Sequence, residues 1–414
     1  MSGVIEQPCN FDSMKKCHIF SKSPDSALYL FICLLFFFLP IVTTPAVIAG
    51  IISIALWLYT GCNFSSSKNW SFSVGIAVVL LALLPWVGLL WSHDPASGVK
   101  LAKKSYYWVF ALMMASLDLN DEKILSYIKS YLAGLLVSVC IVMLQFVNIL
   151  PLRKEYTYGL FNYISYSLML VSGILLLAFF YKNMLGLNER KIIITIMLSF
   201  MFALLVLKGR SGYLAFIITL PWILFTMFGR SNLIRIIIAY IIILSILFCS
   251  PTVRERIGVI FSEISSYEQG KINKSQDSAV RLRFIMWEGG IQIFREHLLF
   301  GSGTGSYKML QRQYNNNPDL PNFDHPHNSF IYMASSYGLV GLLLISWLFV
   351  KLTINGWMNR NSIAGYATLT FTAVIVIGSL TDTQVLSVHT GYLLALISGI
   401  NMNPFLTTQT LVLD

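Results

Sequence analysis

Long apolar runs almost free of charge recur along this chain, and they constrain its fold more than any other feature. A helix needs about 20 apolar residues to cross the hydrocarbon core of a bilayer. Backbone inside lipid must satisfy its own hydrogen bonds, which leaves helices or closed barrels. The ten-residue alternating strands of a barrel do not occur. The runs therefore read as helices, at about 27–43, 45–61, 72–92, 105–117, 124–149, 160–181, 191–208, 212–228, 233–249, 329–350, 362–380 and 386–400. The expected fold is an all-α polytopic membrane protein with about 12 transmembrane helices. Pro40–Pro45 and Lys208–Gly212 read as tight turns between spans. The run from Ala27 has no A-x-A-like cleavage site after it, so it is expected to stay as the first span.

Composition supports lipid as the main solvent. Hydrophobic residues make up 56% of the 414 and charged residues only 12%, about half of what a soluble surface carries. The 28 Phe, 20 Tyr and 9 Trp suit bilayer interfaces. The net charge of +10 is scattered through the links between apolar runs. That pattern favours anionic headgroups or a phosphate-bearing substrate over nucleic acid. The six Cys contain no CxxC, so neither a disulfide framework nor a zinc site is expected.

Lys and Arg are more numerous in the short links that face the cytoplasm if the N-terminus is cytoplasmic. Nine helices then fill residues 1–249, a large loop at 250–328 lies on the outer side, and three helices fill 329–414 with a cytoplasmic C-terminus. Ala279–His297 carries Leu282, Ile285, Met286, Ile291 and Phe294 at helical spacing. One or two amphipathic helices lying over the membrane are expected there.

Several polar groups stand out against this background. Arg210 lies in Lys208-Gly209-Arg210-Ser211-Gly212 between two apolar runs. It reads either as a snorkelling anchor or as a guanidinium that holds phosphate oxygens in bidentate bonds. The outward placement of this link favours phosphate. Asp324-His325-Pro326-His327-Asn328-Ser329 closes the loop and opens a span. A neutral His327 at that helix N-terminus would suit a general base. The competing reading is a simple N-cap on Asn328 or Ser329, and His325 is the weaker candidate base. Arg281 and Arg283 point to different faces of one helix, so either could reach a site while the other meets solvent or lipid phosphate. Asp382 begins the last outer link; it could orient the histidine, but capping the next helix is the expected role. Lys100, Lys103, Lys104, Arg153 and Lys154 form a basic rim on the outer side. Walker A, HExxH, Asp-x-Asp and nucleophile-elbow sequences are absent.

Three segments in order carry a family resemblance: Lys208-Gly209-Arg210-Ser211-Gly212-Tyr213, Arg281–Phe294 followed by Phe300-Gly301-Ser302-Gly303-Thr304-Gly305, and Pro326-His327-Asn328-Ser329-Phe330 through Tyr337-Gly338-Leu339-Val340-Gly341. Over about residues 200–345 the chain resembles the O-antigen ligase / O-antigen polymerase family of bacterial membrane glycosyltransferases. The resemblance implies a glycan donor on undecaprenyl pyrophosphate at the periplasmic face of the inner membrane, with no cofactor and no metal. For a ligase the acceptor is lipid A–core oligosaccharide, and transfer completes lipopolysaccharide. Arg210 and one of Arg281/Arg283 would then grip the pyrophosphate, and His327 would take the acceptor proton. Ligase is the leading reading. Polymerase is the closest rival, a protein-glycosylating ligase differs only in its acceptor, and a lipid-linked glycan flippase belongs to another class. A transporter should bury charges deep in several spans, whereas here nearly all charges lie at span ends.

Overall fold

The computed structural model describes residues 24–61, 72–152, 158–183, 186–207, 209–229, 232–249, 279–314 and 323–403, with Arg254 and Gly258. Lys208, Arg153, Lys154, Cys9, Cys17, Cys62 and most of 250–278 lie outside the described residues, as do 315–322. The described residues are helical and contain no strand. In chain order the helices are α1 (Pro24–Phe38), α2 (Thr43–Tyr59), α3 (Phe72–Val87), α4 (Pro95–Ala102), α5 (Val109–Ser116), α6 (Asp121–Phe146), α7 (Tyr163–Asn183) and α8 (Leu187–Val206). They continue as α9 (Arg210–Phe228), α10 (Leu233–Cys249), α11 (Ala279–Glu296), α12 (Tyr307–Tyr314), α13 (Ser329–Met358), α14 (Ile363–Ser379) and α15 (Val388–Met402).

Among the described residues, five helices are long and apolar enough to cross a membrane: Ser73–Trp91, Asp121–Phe146, Tyr163–Asn183, Arg210–Phe228 and Ser329–Met358. The apolar helices α1, α2, α14, α15 and the Leu233–Ile246 part of α10 are shorter. The run expected as one helix over 105–117 is instead a 3-10 turn, Lys103–Trp108, followed by the eight-residue α5. The reading of Lys208–Gly212 as a turn between spans is also corrected, because Arg210 is already the first residue of α9.

The bundle is built around α7, which packs against α8, α9 and α14. Within its apolar window 83% of the residues are buried, so its serines face other helices rather than lipid. Gly209, at the start of α9, lies where an added Cβ would meet Ser167 Oγ at 2.5 Å. Small residues on both helices let the backbones approach closely, which is how packing replaces the hydrophobic drive inside lipid. By contrast, α10 exposes Ile234, Ile237, Ile238, Ile241 and Ile242, as expected of a helix at the lipid-facing rim.

One device positions the segment between α11 and α12. Helix α13 is broken at Gly338, whose backbone (φ 65°, ψ −153°) is outside the helical region. A break at membrane depth is tolerated only where the freed backbone groups find partners. Here the stretch 298–304 supplies them. The Leu339 and Val340 N–H groups donate to Leu298 and Leu299 carbonyls at 2.8 and 3.3 Å, and Ser302 and Gly303 N–H donate to Ser335 and Ser336 carbonyls at 3.0 Å each. The other side of the stretch meets the C-terminal end of α3. Thr304 N–H donates to the Gly88 carbonyl at 3.0 Å, and its hydroxyl donates to the Pro85 carbonyl at 2.7 Å, so carbonyls at a helix end are satisfied. Gly303 sits at φ 88°, where an added Cβ would lie 2.7 Å from the Gly88 carbonyl oxygen and Ser92 Cα. The glycine stretch is thus a buried wedge between α3 and the two halves of α13, not a surface turn.

The helix expected over Ala279–His297 is present as α11. Its inner stripe is Ile285, Met286, Gly289, Gly290 and Ile293, while Ile291, expected on the apolar face, is 42% exposed. The two glycines carry the stripe inward and disguise it in a hydropathy pattern. Tyr307, the first residue of α12, donates its hydroxyl to the Met286 carbonyl at 2.7 Å.

Candidate active site

The site lies where the segment leading into α13 meets the link between α14 and α15. Asn328 caps α13, and its side-chain oxygen accepts from Phe330 and Ile331 N–H at 2.9 and 3.1 Å. Its amide also donates to the Leu380 carbonyl at 3.0 Å, tying the cap to the other link. His327, just before the cap, has φ 49°, a conformation costing a non-glycine residue about 1–2 kcal/mol. That backbone presents the ring to Asp382, with Nδ1 2.7 Å from Oδ1. The His327 side chain keeps 37% of its exposure against 9% for Asp382. The imidazole is therefore accessible while its partner carboxylate is hidden.

Asp382 was expected to cap the following helix, and it does not. Thr383 and Ser387 hold the cap positions of the next 3-10 turn and of α15. Asp382 Oδ1 instead takes the Thr383 N–H at 2.9 Å alongside His327. Burial pushes the Asp382 carboxyl up. The His327 hydrogen bond and charge and the Thr383 N–H outweigh burial, so its pKa falls below the usual carboxylate range. An ionised Asp382 can only accept, so Nδ1 is the donor of the pair, and in the neutral imidazole the lone pair is then on Nε2.

His325 packs against His327, with ring centroids 4.5 Å apart, and its Nδ1 lies 3.1 Å from the Thr383 hydroxyl. Burial, reinforced by the charge of His327, lowers its pKa to about 4; Lys104 acts in the same direction. His325 is therefore neutral at physiological pH. The preceding residue, Asp324, pairs with Lys308 of α12 at 2.8 Å, an exposed contact worth little by itself.

Arg210 reaches the same region through its neighbour. Thr381, next to Asp382, donates its hydroxyl to the Ser211 hydroxyl at 2.6 Å. The half-buried Arg210 is thus one residue from a direct link to the Asp382 turn. Helix α11 approaches from the other side through Gly290, where an added Cβ would lie 2.5 Å from Ile331 and 3.7 Å from Pro326. Arg281 and Arg283 are half-buried near the start of α11. At 1.5 Å per residue they stand about 10–14 Å along the helix axis from Gly290.

A small apolar cavity of about 40 Å³ is lined by Leu81, Leu84, Pro85, Lys104, Tyr332, Tyr337 and Leu386 among others, and no residue of the dyad lines it. Sequence reasoning counted Lys104 only as part of a rim and did not see Thr381, Thr383 or Ser211. The signal for the threonines was the polar run Thr381-Asp382-Thr383-Gln384 between two helices that carry no Asp, Glu, Lys or Arg.

Together these features define a helical membrane protein with a His–Asp dyad and, linked to it through Ser211, an Arg at the start of α9. Residues 193–346 match a protein-family model described as O-antigen ligase, in agreement with the O-antigen ligase / polymerase superfamily. The matched segment includes Arg210, the glycine wedge and His327, whereas Asp382 and Lys104 lie outside it. No curated protein matches the chain.

Proposed function

We propose that the chain is an O-antigen ligase. It moves a glycan from undecaprenyl pyrophosphate to lipid A–core oligosaccharide at the periplasmic face of the inner membrane. The proposed topology has about 12 crossings, both termini in the cytoplasm and the 250–328 segment outside. The family match supports ligase or polymerase-type chemistry on a lipid-linked glycan. The observation that carries the catalytic reading is the 2.7 Å contact between His327 Nδ1 and a buried, ionised Asp382.

In this reading the acceptor hydroxyl gives its proton to His327 Nε2 as its oxygen bonds to the anomeric carbon. The bond from that carbon to the pyrophosphate oxygen breaks, and the electron pair leaves with pyrophosphate. Asp382 stabilises the imidazolium that forms. Arg210, with one of Arg281/Arg283, meets the negative charge that builds on the leaving group, which is usually the largest catalytic contribution. Guanidinium groups supply this stabilisation, so the proposed chemistry needs no metal.

The test is the lipopolysaccharide profile of a strain lacking the gene. Ligase predicts loss of every O-chain band while polymer accumulates on undecaprenyl pyrophosphate. Core bearing a single repeat unit would refute ligase and indicate polymerase, and an unaltered profile would remove both.

A further inference from the structure

The dyad and its neighbour also have the makings of a metal site. His325, His327 and Asp382 each offer one ligand atom, and these atoms all lie within 4.8 Å of one another. Tetrahedral zinc holds nitrogen and oxygen ligands at about 2.0–2.2 Å, which sets the ligand atoms about 3.3 Å apart. His327 Nδ1 and Asp382 Oδ1 are already closer than that, at 2.7 Å. A rotation of His325 by roughly an ångström at its ring nitrogen completes the triangle. The ligands stand on constrained backbone. Pro326 separates the two histidines, Asn328 anchors the segment to Leu380, and the Thr383 N–H holds the Asp382 carboxylate. Two imidazoles with one carboxylate suit zinc and its d-block neighbours and not magnesium or calcium, which prefer all-oxygen sets. Three protein ligands leave a fourth position open.

We propose that His325, His327 and Asp382 bind a single zinc-class divalent cation, and that this cation inhibits transfer. The inhibition follows from the imidazole tautomer. Paired with Asp382, His327 carries its proton on Nδ1 and offers a lone pair on Nε2. With the metal on Nδ1, that proton moves to Nε2 through solvent, and no proton is lost overall. Nε2 becomes a donor and cannot accept the acceptor proton, while Asp382 is drawn from imidazole to metal. The binding claim stands on geometry alone. The inhibitory claim rests on His327 acting as the base.

The two claims separate in experiment. Purified full-length protein in nanodiscs, freed of metal with EDTA, is titrated with Co²⁺ and then Zn²⁺. The expected result is one Co²⁺ per chain with visible d–d bands that Zn²⁺ abolishes. H325Q and D382N each lose the bands, and the H93Q/H297Q pair, which alters a separate histidine couple with rings 5.7 Å apart, keeps them. Zinc K-edge absorption on the wild type should show two imidazoles and oxygen without sulfur, a reading that does not depend on any variant folding. Absence of bands, bands that survive both H325Q and D382N, or a sulfur shell would overturn the site. In the transfer assay, stoichiometric zinc should lower the wild-type rate at least tenfold and EDTA should restore it. Zinc bound at full occupancy with an unchanged rate would overturn inhibition. A metal-free wild type with no transfer at all would count against the ligase reading, and the spectra would still decide the site.

Discussion

Replacing Asp382 with Asn isolates the charge behind His327. Asn has nearly the same shape and can still accept the Thr383 N–H that Asp382 takes at 2.9 Å, so the fold should tolerate it. What disappears is the negative charge against an imidazolium that forms only as the acceptor proton is taken. Two unit charges about 4 Å apart attract by about 4 kcal/mol at an effective dielectric near 20. The His327 side chain keeps 37% of its exposure, and Asn retains a neutral hydrogen bond. The net loss is therefore nearer that of a charge-assisted bond, about 2–3 kcal/mol. That corresponds to a rate decrease of about 30- to 150-fold. The assay is initial-rate transfer in proteoliposomes with saturating lipid-linked donor. The loss should fall on kcat with donor KM little changed, because Asp382 faces the base and not the pyrophosphate. A rate within about threefold of wild type, or a loss confined to donor KM, would refute the reasoning.

Three further outcomes follow from the geometry. Arg210→Lys should lose about tenfold or more in transfer, because Lys offers a point charge where a planar fork is needed; wild-type rates in that variant would remove bidentate phosphate binding from the account. Gly303→Ala should destabilise the protein by about 2–4 kcal/mol, combining a left-handed backbone with a clash against Gly88 and Ser92; an unchanged melting temperature would contradict the wedge. Burial of His325 opposes its protonation in the fold, with a pKa of about 4 against 6.5. Its contribution is then complete above pH 6.5 and fades as pH falls toward 4. In metal-free buffer the melting temperature of the wild type should drop more than that of His325→Gln between about pH 7.5 and 4.5, and parallel curves would refute this.

What the sequence made legible was local. Apolar runs marked most helices to within a few residues, because lipid leaves an apolar backbone little alternative. The 3-10 turn at Lys103–Trp108 escaped, since hydropathy does not distinguish a tight turn from a helix. Ile291 was assigned to the inner face of α11 because Gly289 and Gly290 add nothing to a hydrophobic stripe, although both are buried there. The site depends on pairings that periodicity cannot see. His327 meets Asp382 across 55 positions, and Ser211 meets Thr381 across 170. The sequence alone presented Asp382 as a helix cap, because a carboxylate at a span end caps far more often than it orients a base. The glycine stretch was visible as a motif, but its role as a wedge follows only from the break at Gly338, whose N–H and carbonyl neighbours it satisfies.

In the proposed function this chain alone transfers a lipid-linked glycan with His327 as base. The most direct measurement is reconstitution of the purified protein in proteoliposomes with undecaprenyl-pyrophosphate-linked glycan and lipid A–core, without nucleotide. The wild type should convert the core to glycan-bearing lipopolysaccharide, and His327→Ala, inserted at the same level, should not. No conversion by the wild type, or undiminished conversion by His327→Ala, would contradict the proposed function.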